Sequence, residues 1–178
     1  MKKPILLPIL TIALAALVLL GAAFGLKGVA QANAQAEHLK IMQTLLPGST
    51  EFVAEPYTGE DANIRSVHKG ENGFVIETVT QGYAGPITML IGVSNEGTVT
   101  GLVVRELSET LGLGANALTD HEFLAQFLNT TGEAEVGADV DAISGATVTS
   151  RAIARSVNSA VAFVTGADVD SGATSWGG

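Results

Sequence analysis

Residues 73–105 read GFVIETVTQGYAGPITMLIGVSNEGTVTGLVVR. Three runs within this stretch, GFVIETVT (73–80), PITMLIGV (86–93) and TVTGLVVR (98–105), are short and rich in β-branched residues. QGYAG and SNEG, which separate them, are turn-forming. The stretch therefore predicts three consecutive antiparallel strands, because short connections bring a chain back beside itself.

Upstream, residues 49–72 are mixed and rich in Gly, Pro, Asp and Asn, which predicts a strand or two with loops. Before them, Leu39, Met42, Leu45 and Leu46 recur at helical spacing over Asn33 to Leu46, and Pro47-Gly48 stops the pattern. Downstream, TDHEFLAQFLN (119–129) predicts a helix in which Thr119 and Glu122 form a capping box and Phe123, Leu124, Phe127 and Leu128 supply a buried stripe. TVTSRAIARSVNSAVAFV (147–164) predicts a second helix, with Ile153, Val157, Val161 and Val164 on its apolar face and Arg151 and Arg155 elsewhere on the wheel.

The N-terminus begins MKKP, and Pro4 to Leu26 is a run of 23 residues without a charge. As a helix this run is about 34 Å long, enough to cross a hydrocarbon core of about 30 Å. A cleaved signal peptide is the alternative, since GVAQANAQAE offers A-x-A patterns, but the run exceeds the usual apolar core of about 7–15 residues. With Lys2 and Lys3 before the run and Lys27 after it, the N-terminus is expected in the cytoplasm and the rest outside. The expected fold class is α+β: an N-terminal transmembrane helix followed by a single exported domain with a mainly antiparallel sheet and flanking helices. The expected divisions are a membrane anchor (1–27), a connecting helix with the first part of the exported domain (28–69), the main domain (70–165) and a flexible tail (166–178).

Composition narrows the chemistry. Cysteine is absent, which excludes thiolate-held clusters, c-type haem attachment, disulfides and thiol nucleophiles from this chain. His38, His68 and His121 have no metal-ligand spacing. Beyond the apolar run, 7 basic residues face 18 acidic ones, a balance of −11 that repels nucleic acid and anionic headgroups. The expected contact with the membrane is through the anchor, and no nucleic-acid partner is expected.

The candidate site lies at DAISGATVTS (141–150), just where the second helix begins. Ser, Thr and Asp are ordinary N-caps, so Ser144 or Thr147 could simply satisfy orphan amides. The functional alternative is that these amides and the helix dipole hold a phosphate beside a hydroxyl. Neither a Walker A loop nor a G-x-S-x-G elbow is present, so nucleotide hydrolysis and serine hydrolase chemistry lose support. Asp141-x-x-Ser144-Gly-Ala-Thr147 recurs as Asp168-x-x-Ser171-Gly-Ala-Thr174. Only the first copy opens a helix that supplies aligned amides, so the second is expected to lie in the tail, where Trp176 could dock on a partner.

DAISGATVTS followed by an amphipathic helix resembles the flavin-attachment motif of FMN-binding domains in the G subunit of the Rnf complex and the C subunit of the sodium-translocating NADH:quinone reductase. QGYAGPITMLIGVSNEGTVTGLVV (81–104) is similar to that family's G-Y-x-G-P-I strand and hairpin, and SETLGLGANAL (108–118) is similar to its E-T-P-G-L-G loop. Leu111 stands where the family loop commonly has proline, which leaves φ less restricted there. The resemblance implies FMN joined through its phosphate to Thr147 by a flavin transferase. It places Asp141, Ser144, Gly145, Ala146 and Thr149 around the attachment point and Glu109, Thr110, Leu111 and Gly112 beside the flavin ring.

By the same resemblance the chain is an electron-transfer subunit of an ion-translocating complex. Its expected partners are the other membrane and iron–sulfur subunits, with the transferase acting during maturation. The cofactor supplies the redox chemistry, and no residue need be a general acid or base. Two other readings stay open: a stand-alone exported flavoprotein serving external acceptors, and a flavin-free interaction module in which SGAT is only a cap.

Overall fold

A computed structural model describes residues 6–107 and 120–167. The order of elements is α1 (Leu6–Leu45), β1 (Val53–Glu55), β2 (Ile64–Lys69), β3 (Gly73–Gln81), β4 (Pro86–Ser94), β5 (Val99–Leu107), α2 (His121–Ala125) and α3 (Thr147–Thr165). The chain divides into two compact units, Met1–Lys40 and Ile41–Gly178. The described part of the first is α1 alone, on which Leu14 and Leu17 are exposed. Among the described residues no helix is long and apolar enough to cross a membrane. Most side chains of 6–27 are not among those described, so the anchor expected there rests on its sequence.

The second unit is built on a five-stranded sheet in the order β1-β2-β3-β4-β5, every neighbour antiparallel. The three strands expected over 73–105 are β3, β4 and β5, and the stretch 49–72 supplies β1 and β2. Both connections in the central stretch are tight. Gly82 N–H donates to the Gly85 carbonyl in one, and in the other Ser94 N–H donates to Thr98 while Gly97 takes a left-handed φ of 81°.

Seven successive residues of β4 are buried, from Ile87 to Val93, because its two faces are both covered. Ile87, Met89, Ile91 and Val93 join Ile76, Val99 and the α3 residues Ile153, Val157 and Val161 in the larger core. Leu90 and Val75 point the other way, to Met42, Leu45 and Leu46 at the end of the first helix. Alternation along each strand thus serves two hydrophobic layers. At about 1.5–3 kcal/mol for each large apolar side chain removed from water, these layers are the main stabilising term.

The α3 helix runs antiparallel to β3. Near its start, Thr80 Oγ1 donates to the Ala152 carbonyl (3.0 Å) and lies 2.9 Å from Ser156 Oγ. Near its end, Phe163 meets the edge of Phe74, with centroids 5.6 Å apart. Gly166, with φ 67°, ends the helix by donating its N–H to the Ala162 carbonyl.

The expected helix over 119–129 is shorter than its pattern suggested. It occupies His121–Ala125, and its cap is Asp120, whose side chain accepts from Phe123 N–H; Thr119, expected to form a box with Glu122, lies outside the described residues. After Ala125 the chain tightens into i→i−3 bonds, and Asn129 turns left-handed with φ 63°. That turn lets Asn129 and Thr130 bond to both backbone groups of Val99 on β5. Phe123 and Phe127 are buried as expected, whereas Leu128 is exposed because the helix ends before it.

Candidate functional site

Three segments meet at one end of the sheet. Thr80 pairs with Ile87, and Ile87 with Leu107, so the turn 82–85 and the exit of β5 share that end. The bond from Thr80 to the Ala152 carbonyl brings the first turns of α3 to the same place. Residues 108–119, which contain Glu109, Thr110, Leu111 and Gly112, lie outside the described residues, as do Thr174 and Trp176.

The loop entering α3 is held by three bonding devices. Asn158 on α3 accepts from Ala134 N–H (3.0 Å) and donates to its carbonyl (3.2 Å), which fixes the middle of the preceding connection. Gln126 Oε1 accepts from the Asp141 N–H at 2.8 Å, tying the end of α2 to the first residue of the motif. Ser150 Oγ accepts from Ile143 N–H and donates to the Ala146 carbonyl, both at 3.0 Å, and is fully buried. Ile143 and Ala146 are themselves buried, so the loop is clamped at two points with Ser144 and Gly145 exposed between them. Gly145 has φ 75°, a conformation that favours glycine and turns the chain into the helix.

Thr147 is the first residue of α3 and is exposed. The cap position is Ala146, which makes no side-chain cap bond, so neither Ser144 nor Thr147, the two residues that could have served as caps, is the cap residue. Orphan amides at a helix N-terminus carry partial positive charge and attract anions. The donor set is therefore a surface hydroxyl beside a helix N-terminus whose cap residue contributes no side-chain bond, and it fits a phosphate-linked group. Asp141 is exposed and is held through its backbone. Thr149 is 1% exposed, which puts its side chain in the core beneath the site and not on the surface that Thr147 shares.

Sequence reasoning missed Ser150 and Gln126. Ser150 sits four residues after Ala146, the spacing at which a serine hydroxyl reaches a helical carbonyl, so its pattern was readable. Gln126 carries no comparable signal, because its partner lies across a connection whose path only the fold decides.

Residues 82–162 match the family described as FMN-binding domain. The chain is 39% identical over 147 residues to the G subunit of the ion-translocating oxidoreductase complex of Methanosarcina acetivorans, covering 73% of this chain and 77% of that protein. It is 33% identical over 98 residues to the G subunit of the Na(+)-translocating ferredoxin:NAD(+) oxidoreductase complex of Acetobacterium woodii, covering 50% and 47%. The chain thus spans about half the length of that second relative. Among solved structures, a crystal structure of NqrC from Shewanella oneidensis matches with 21% identity and a TM-score of 0.45, covering 71% of this chain and 73% of that one.

Proposed function

This chain belongs to the family of G subunits of ion-translocating oxidoreductase complexes, and on that premise we propose that it is a membrane-anchored electron carrier with FMN joined through its phosphate to Thr147. The carrying observation is the exposed Thr147 hydroxyl at the first position of a helix whose cap residue, Ala146, makes no side-chain cap bond. When bound, FMN supplies the electron-accepting and electron-donating chemistry. The chain's own residues would hold it: Ser150 and Gln126 fix the loop, Gly145 sets its turn, and the first amides of α3 would meet the phosphate. Ser144, Ala146 and Asp141 complete the motif, with the exposed Asp141 carboxylate serving recognition by the flavin transferase. By the family resemblance Glu109, Thr110, Leu111 and Gly112, which lie outside the described residues, would line the flavin ring.

The anchor is residues 1–27, with the N-terminus in the cytoplasm and the flavin domain outside. Its support is the uncharged run Pro4 to Leu26, which α1 takes up from Leu6 onward, and the exposed Leu14 and Leu17. A covalent bond keeps a small cofactor on an exported domain, where a dissociated one would be diluted beyond mass-action recovery. The partners are the membrane and iron–sulfur subunits of an Rnf-type complex coupling ferredoxin and NAD redox chemistry to ion transport.

The test is a denaturing gel of full-length protein co-expressed with a flavin transferase, read by flavin fluorescence and followed by peptide mapping. A fluorescent band that disappears in Thr147→Ala, with the added mass on the peptide containing Thr147, is the expected result. A dark wild-type band refutes the flavin reading; a fluorescent Thr147→Ala band refutes the site. Affinity purification from membranes separates a complex subunit, which brings iron–sulfur partners with it, from a stand-alone flavoprotein.

A further inference from the structure

Most of α3 is covered. Its exposed or half-exposed positions over 147–158 are Thr147, Val148, Arg151, Arg155 and Asn158. Asn158 is occupied by both backbone groups of Ala134, and Arg155 is half-buried. Arg151 remains exposed, four residues after Thr147. Residues four apart on a helix lie one above the other, with Cβ atoms about 5–6 Å apart, and helical side chains lean toward the N-terminus. The long Arg151 side chain is therefore directed back along the stripe on which the Thr147 hydroxyl stands.

The charge around this position gives the arrangement a consequence. Beyond the apolar run the chain carries 18 acidic against 7 basic residues, and exposed Asp141 stands six residues before Thr147. A phosphodiester on Thr147 keeps a negative charge throughout the neutral range, so this surface repels it. Of the two cations of α3, Arg151 is the exposed one and the one a single turn from the hydroxyl. Its guanidinium offers a planar fork of donors matched to phosphate oxygens, and it stays charged at every working pH.

Resting on the reading of Thr147 as the attachment site, we propose that Arg151 is a positioning residue that pairs with the bridging phosphate and orients the attached flavin on the α3 stripe. The helix amides approach the phosphate from the end of α3, and Arg151 approaches it from the side. Two directions of approach restrict the phosphate more than either alone.

The experiment uses full-length protein loaded with flavin by co-expressed transferase, its load set by intact mass, and reads the phosphorus resonance of the bridging phosphate. Raising ionic strength from about 0.01 M to 1 M shortens the screening length from about 30 Å to about 3 Å. In the wild type the resonance shifts with salt. In Arg151→Gln it sits from the outset at the wild-type high-salt position and the shift is lost, while Arg151→Lys retains part of it. A fully loaded Arg151→Gln protein that shifts as the wild type does overturns the proposal. If Arg151→Gln does not load, loading kept in Arg151→Lys supports the charge role, and equal loss in both overturns it. A wild-type protein without flavin on Thr147 refutes instead the reading on which the proposal rests, so the two failures are distinguishable.

Discussion

Gly92 on β4 and Gly101 on β5 are register partners, and together they receive the backbone of Leu45. A Cβ on Gly92 would overlap the Leu45 carbonyl oxygen, and one on Gly101 would lie 3.0 Å from Leu45 Cα. Thr100, between them in the chain direction, donates its hydroxyl to the same carbonyl. The last turn of α1 can thus sit directly on the sheet, and Met42, Leu45 and Leu46 close the second core there.

Gly92→Ala is expected to destabilise the domain more than Gly101→Ala. The first must displace backbone, whereas the second meets contacts near 3.0–3.2 Å, part of them to a movable leucine side chain. Overpacking of this kind costs about 1–3 kcal/mol. In a domain of this size that lowers Tm by several degrees, at about 2–4 °C per kcal/mol. Thermal unfolding of the two variants checks the order, and a Gly92→Ala protein as stable as the wild type contradicts the close approach.

Thr147→Ala separates stability from cofactor attachment. Thr147 is exposed and caps nothing, so removing its hydroxyl should leave stability within about ±0.5 kcal/mol. Flavin fluorescence on a denaturing gel should vanish in the same protein. A large fall in Tm with the cofactor absent from both proteins would mean that the hydroxyl serves the fold.

Ser150→Ala should have the opposite profile. It removes the acceptor for Ile143 N–H and the donor to the Ala146 carbonyl at a fully buried position. A buried donor left unsatisfied costs about 1–3 kcal/mol, and the loop carrying Ser144 and Gly145 loses one of its clamps. Lower Tm and slower flavin loading, with Thr147 still present, are the expected measurements. Unchanged values for both would remove Ser150 from the account of the site.

The strands of the central stretch were legible because β-branched runs and short glycine turns coincide, and local pattern agreed with tertiary packing. The α3 helix was legible from Ile153, Val157 and Val161, whose spacing matches the face that the sheet covers. The cap of α2 was not legible because Thr and Asp are both competent caps, and residue type alone does not single out Asp120, whose side chain accepts from Phe123 N–H. Ser144 and Thr147 were open as caps for a similar reason: residue type identifies a competent cap, but loop geometry decides which one is used. The fold instead anchors this loop from inside through Ser150. Gly92 and Gly101 carried no signal of the approaching helix, since a glycine in a strand marks a bulge, a bend or a close contact equally well.

Asn158 tests whether the connection before the site is held from α3. Its side chain accepts from Ala134 N–H and donates to the Ala134 carbonyl, mimicking a strand partner for one residue. Asn158→Asp keeps an acceptor for the amide but sets a carboxylate against the carbonyl oxygen, so attraction becomes repulsion on one side. Asn158→Ala loses both bonds without adding a charge. Both variants should unfold earlier than the wild type, by the equivalent of about 1–3 kcal/mol. Hydrogen exchange separates them locally. Ala134 N–H should lose protection in Asn158→Ala and keep part of it in Asn158→Asp, because only the aspartate can still accept that proton. Equal protection in all three proteins would show that the connection is held by its other contacts, among them the bond from Asp141 N–H to Gln126, and that Asn158 does not organise the approach to Thr147.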